Sequence, residues 1–302
     1  MRLVYYRFFY LIRRFNFAAV MKRALCIFIL VSVFLINNSF AQSSEFGLSI
    51  GASGYKGDLN QTMFNTKLIN FPAWGLHFRR CINNYWSYKA QLNFLRIDAA
   101  DSLSGDDWQH YRNLSFKSKI QELTFQFEFN FFGFQAANQL TKFSPYITSG
   151  ISVFHFNPKA ELNGEWFALQ PLGTEGQGSS KYSDRKKYKR VSAAIAIGGG
   201  IKARLTDRFS IALEVAARRA YNDYLDDVSR TYASQDAIAA SNGHNAALLS
   251  DRTIDQPSQT NTDRQRGNRN DKDWYYFACM QINFVLSKKY YDNCRPFGVK
   301  LK

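Results

Sequence analysis

Eight times along the chain, bulky apolar residues alternate one by one with polar or small residues over unusually long stretches. The clearest run is Leu123, Phe125, Phe127, Phe129 and Phe131, interleaved with Thr124, Gln126, Glu128 and Asn130. The others include 46–52, 74–78, 86–94, 147–153, 191–201, 209–218 and 276–286. A period of two puts successive side chains on opposite faces of a strand, and no helix produces it. The runs extend over roughly 9 to 14 residues, beyond the 5–6 of an average soluble strand and close to what a tilted membrane-spanning strand needs. One parity is apolar; the other carries Arg79, Lys89, Glu128, Lys202, Glu214 and Arg218 among glycines and serines. That mixture suits the interior of a small barrel whose outer surface faces lipid.

The connections support the same reading. The gaps between runs are about 16, 5, 24, 11, 32, 5 and 50 residues, alternately long and short, as in outer-membrane barrels with long outer loops and short periplasmic turns. The predicted fold is therefore all-β, an eight-stranded antiparallel transmembrane β-barrel of the small OmpA/OmpX type, with both termini periplasmic in the bacterial outer membrane. The last loop is polar, and its stretch from Gln256 to Asp273 has almost no apolar residue, a composition that predicts mobility.

Composition narrows the classes further. The 302 residues include 27 Phe, 17 Tyr and 5 Trp, and mean hydropathy is −0.33, which excludes both a bundle of transmembrane helices and wholesale disorder. The net charge is +15. The first 41 residues contribute six basic residues and no acid, so the remainder has 33 basic against 24 acidic residues, or +9. The basic residues sit mostly in connections, not on one helix or domain, so no nucleic-acid partner is expected.

Residues 24–36, ALCIFILVSVFLI, form a thirteen-residue apolar stretch, too short for a transmembrane helix. Lys22 and Arg23 precede it and Ser39-Phe40-Ala41 follows, the arrangement of a secretory signal peptide cut after Ala41. Met21 fits the true start. The expected organisation is 1–41 as upstream residues plus signal, 42–286 as the barrel, and 287–302 as a basic periplasmic tail.

Candidate chemistry is sparse. Arg79, Lys89, Glu128, Lys202, Glu214 and Arg218 are expected to form an interior polar network, because a buried charge without a partner is expensive. A proton or ion path is the sharper alternative. The four histidines, His77, His110, His155 and His244, read as lumen or loop residues. No catalytic residue, cofactor or metal ligand is assigned. Neither Gly198–Gly200 nor the glycines of 173–178 have the lysine-serine ending of a phosphate loop. The basic run 184–190 reads as a headgroup-level rim, or as a contact for lipopolysaccharide phosphates. Export leaves Cys81, Cys279 and Cys294 in an oxidising space, an odd count that suggests one bridge and one spare thiol. Topology brings Cys81, at the first short turn, toward Cys294 in the tail, making that pair the candidate disulfide.

Four stretches go beyond generic barrel patterning: 145–150 running on to 154–160; Trp166-Phe-Ala-Leu-Gln-Pro-Leu-Gly-Thr-Glu-Gly-Gln-Gly178; Gly200-Ile-Lys-Ala-Arg-Leu-Thr-Asp207; and Asp223-Tyr-Leu-Asp-Asp-Val-Ser229. Together they resemble the PorG-like outer-membrane barrel family of the type IX secretion system, over about 45–300 and most densely over 145–229. The resemblance implies a non-enzymatic barrel that anchors or organises a periplasmic, lipoprotein-containing ring and its associated secretion subunits, without being the conduit. It carries over no catalytic residue. Given the topology, turns 81–85, 133–143 and 204–208 and the tail, with Lys288, Lys289, Arg295 and Lys300, would face such a ring. The alternatives are a stand-alone surface barrel binding lipopolysaccharide or host ligands through its outer loops, and a rim-located lipid hydrolase or acyltransferase.

Overall fold

In the computed structural model, which describes residues 43–134, 141–254 and 261–287, nine strands form one antiparallel sheet. They are β1 (Ser44–Lys56), β2 (Asn70–Cys81), β3 (Trp86–Ala100), β4 (Ser115–Asn130), β5 (Phe143–Leu162), β6 (Glu165–Ala168), β7 (Val191–Arg204), β8 (Phe209–Ala220) and β9 (Trp274–Ser287). The order β4-β3-β2-β1-β9-β8-β7-β5 closes on itself through β4–β5 pairing, giving an eight-stranded barrel with no free edge. All eight runs of alternation lie on these eight strands. The expected leader and start site (1–41) and the tail beyond Ser287, with Cys294, lie outside the described residues.

β6 is an addition to the expected set. It extends β5 as a hairpin above the barrel, through Asn163 (φ 53°) and Gly164 (φ 85°). Both central residues of a type I′ turn need positive φ, which Asn-Gly supplies.

Alternation sorts the side chains as a lipid-facing barrel requires. On β4, Thr124, Gln126, Glu128 and Asn130 are fully buried in the lumen, while Leu123 is 60% and Phe127 51% exposed on the outside. Ile151, Ile197 and Leu213 continue the outer apolar belt around the barrel. So continuous an apolar surface is costly in water and stable in hydrocarbon.

Toward the long-loop end the pattern inverts. On β3, β4 and β5 the inward positions become Leu95, Ile97, Phe116, Ile120, Phe154 and Phe156, all buried. The outward positions there become Arg96, Lys117, Lys119, His155, Asn157 and Lys159. These segments have the polarity of a soluble sheet. The inversion marks where the barrel leaves the lipid, and it explains why β3, β4 and β5 extend past the runs read from the sequence.

The connections 82–85, 131–142 and 205–208 lie at one end; 57–69, 101–114, 163–190 and 221–273 lie at the other. The last of these is partly structured. It carries α3 (Gln235–Asn242) and α4 (His244–Ser250), numbered after α1 (Asp107–Arg112) in the second long loop and α2 (Leu169–Leu172) in the third. Within its supposedly mobile stretch, Asn261, Arg266 and Asp273 are buried. Residues 263–265 and 268–271 between them are exposed, and 256–260 of the expected mobile stretch lie outside the described residues.

Candidate functional site

The lumen at mid-barrel is crossed by one ion-pair cluster. Arg79 bridges Glu45 (2.8 Å) and Glu128 (2.9 Å); Lys89 bridges Glu214 (2.6 Å) and Glu128 (3.3 Å); Lys202 meets Glu128 at 2.5 Å. Tyr146 donates to Glu214 at 2.7 Å, and Arg79 donates to Gln281 at 2.9 Å. Glu45, Arg79, Lys89, Glu128, Tyr146, Lys202, Glu214 and Gln281 come from β1, β2, β3, β4, β5, β7, β8 and β9 in turn. Every barrel strand thus contributes a member. Three cations face three carboxylates, all of them buried, so the cluster is formally neutral, as burial of charge demands.

Arg218 does not join that cluster. It makes a bidentate pair with Glu122 (both contacts 3.2 Å), which also accepts from Tyr275 (2.5 Å) and Asn93 (2.7 Å). Glu45, Glu122 and Tyr146 were missed from the sequence. Glu122 shares the parity of Thr124 and Glu128, and Glu45 that of Gly47 and Ser49, so one more step along either run reaches them. His77 sits in the lumen between Ser49 (3.1 Å) and Asn283 (2.6 Å).

Cys81 is a buried free thiol at the end of β2, with Sγ 3.9 Å from Glu45. Cys279 is likewise buried and free, in β9. The partner suggested for Cys81, Cys294, lies outside the described residues, as do Lys288, Lys289, Arg295 and Lys300.

The second constellation caps the long-loop end, where two of the family-like stretches meet. Glu175 accepts from the backbone N–H groups of Ser229 and Arg230 (both 2.9 Å), from Tyr224 Oη (3.1 Å) and from Arg266 Nη1 (3.2 Å). Asp227 accepts from Thr174 and, at 2.7 Å, from Tyr188. The glycines of the 172–178 stretch serve this knot. Gly173 and Gly176 have φ of 61° and 85°, and a Cβ on Gly176 would press on Tyr182 and Ala233.

Around the knot, Asp226 and Asp273 both accept from Tyr55 Oη, at 2.6 and 3.2 Å. Asp58 accepts from the N–H of Asn268, and Asp101 holds Arg112 through two 2.7 Å bonds. Burial raises the carboxyl pKa of Asp58 to about 6, of Asp227 to about 6 and of Asp223 to about 7. Asp226 and Asp273 are pushed well above the ordinary carboxylate range, by burial first and then by acidic neighbours. The cap is thus an acid-rich packing unit that folds most readily with several carboxyls protonated.

Residues 22–170 match the model of a family described as a domain of unknown function, DUF6089. No curated protein matches the chain. Solved structures similar to it include the N-terminal β-barrel domain of Pseudomonas aeruginosa OprF (7% identity, 81% of this chain and 100% of that one, TM-score 0.33). OprG of the same organism is similar at 13% identity, over 80% of this chain and 95% of that one, with TM-score 0.36. The outer membrane protein W of E. coli follows at 12%, over 80% and 98%, with TM-score 0.31.

Proposed function

We propose that this chain is a non-enzymatic outer-membrane barrel of a type IX protein secretion system, anchoring or organising a periplasmic ring complex. The observation that carries the reading is the lumen cluster: ion pairs join side chains from six strands and hydrogen bonds from Tyr146 and to Gln281 bring in the other two, so the barrel is braced and plugged from within. A plugged, braced barrel serves as a fixed post in the membrane and not as a conduit, which leaves its two rims to act. The family-like stretches 166–178 and 223–229, joined in one buried knot, support membership of the PorG-like group. In this reading the short turns face the periplasm, and Tyr85, Phe132 and Leu205 offer exposed apolar contacts there.

The test is purification of the tagged chain from its native outer membrane in mild detergent, with mass spectrometry of what accompanies it. Stoichiometric periplasmic lipoproteins and large secretion subunits are expected. A solitary barrel in several detergents would overturn the ring-anchoring role.

One observation favours surface-ligand binding as a second reading. A cleft of about 400 Å³ opens among the long loops, lined by Trp108, Tyr111, Arg112, Tyr232, Asn261 and Arg264. Aromatic faces beside planar polar side chains suit a saccharide. A glycan array probed with the detergent-solubilised chain and with Trp108→Ala distinguishes the readings: binding lost in the variant favours the cleft.

A further inference from the structure

We infer that the outward face of β3, β4 and β5, just above the apolar belt, binds the phosphates of an outer-leaflet glycolipid. The argument begins with register. Arg96 lies directly opposite Lys119 across β3–β4, and Lys117 lies directly opposite Lys159 across β4–β5. Side chains so placed have Cβ atoms about 4.5–5.5 Å apart, and like charges there repel. Among the described residues no ion pair joins Arg96, Lys119 or Lys159 to an acid. Lys117 packs over the Trp166 ring at 4.5 Å and lies across from Asp98, whose carboxylate already accepts from Asn70 at 2.6 Å. Arg190 reaches the same face through Asn157, at 3.5 Å. Five cations therefore crowd two adjacent rungs with two acids, Asp98 and Glu161, on the same outward face, a net positive arrangement that a bound polyanion relieves.

The second observation is height. These cations begin where the barrel's polarity inverts. Phe94, Leu123 and Val153 face outward just below, and Leu95, Ile120 and Phe154 face inward at the same level. Acyl chains packed on the belt would bring a phosphorylated headgroup to this level. A phosphomonoester carries more charge than a phosphodiester and takes several charge-assisted hydrogen bonds at once, which matches paired cations better than a phospholipid does. The site differs from the 184–190 loop run, because its cations are fixed by strand register.

The inference rests on the proposed orientation, with the long loops at the cell surface. Its test does not, because both faces of a nanodisc carry the lipid. The full chain is placed in phosphatidylcholine nanodiscs doped with bisphosphorylated lipid A or with its dephosphorylated form, and bound lipid is counted by native mass spectrometry. Binding of the phosphorylated form is expected to be stronger by about tenfold, and to fall about tenfold in Arg96→Gln/Lys119→Gln/Lys159→Gln. The loop variant Lys186→Gln/Lys189→Gln should keep it. Heat-modifiable migration in gels checks that each barrel is folded; if the triple variant is not, Lys159→Gln alone should still weaken binding. Equal binding of dephosphorylated lipid, loss in the loop variant only, or displacement by millimolar inorganic phosphate would each overturn the assignment.

Discussion

Glu128 shows most clearly what single residues do in this barrel. It is fully buried and touches Arg79, Lys89 and Lys202 together, so among the described residues no other carboxylate compensates as many cations. Glu128→Ala should cost about 3–5 kcal/mol, because it leaves buried cations short of a partner. Urea titration of the refolded barrel in detergent, followed by tryptophan fluorescence, checks it; a midpoint equal to wild type would refute the bracing role. Arg218 and Glu122 offer the complementary experiment. Arg218→Met alone strands a carboxylate that also holds Tyr275 and Asn93, whereas Arg218→Met/Glu122→Met removes both charges. The double variant should be more stable than either single one, with a cycle coupling of about 0.5–3 kcal/mol read from the same titrations. At this scale the sequence was informative only about type. Parity marked Arg79, Lys89, Glu128, Lys202, Glu214 and Arg218 as inward, but partner choice depends on which heights coincide across the lumen, and barrel stagger decides that. Hence Arg218 paired with Glu122, a neighbour not singled out, instead of joining the other five.

Among the elements, the barrel strands were legible where one parity stayed apolar and were cut short where it changed sides. β4 reads as a lipid-facing strand only from Leu123 onward; its first residues, with Phe116 and Ile120 turned inward, obey the opposite rule. A search for one fixed parity ends a strand at the membrane boundary. The loop cap was illegible for a different reason. Its stability comes from contacts such as Glu175 with Ser229 and Arg266, between segments far apart in sequence that carry no local periodicity. The cap also has a titration signature. Asp58, Asp223 and Asp227 have folded-state pKa values of about 6, 7 and 6, above the ordinary carboxylate value near 4. Between those limits the folded cap binds more protons than the unfolded chain, so its stability falls as pH rises. Arg266 and Lys272 oppose the trend without reversing it. Limited proteolysis of the 221–273 loop should therefore be slower at pH 5 than at pH 8, with a pH-insensitive protease and the intact barrel as internal standard. Faster cleavage at pH 5 would contradict the cap's acid-rich packing.

For the molecule as a whole, the two ends of the barrel differ strongly, and the proposed orientation turns on that difference. The end with turns 82–85 and 205–208 is short and closes with exposed Tyr85 and Leu205; the other holds four loops, four short helices and a buried acid-rich knot. In an outer-membrane barrel the short turns belong to the periplasmic side. Ser44 in β1 and Ser287 in β9 pair at the short-turn end. Single cysteines placed in a Cys294→Ser background test this directly, because Cys81 and Cys279 are buried in the folded barrel. Asp184→Cys, on an exposed long loop, should react with a membrane-impermeant maleimide on intact cells. Asn83→Cys, on a short turn, should react only after the outer membrane is permeabilised. The reverse pattern would turn the barrel over, and with it both the ring-facing rim and the leaflet assigned to the cationic face of β3–β5.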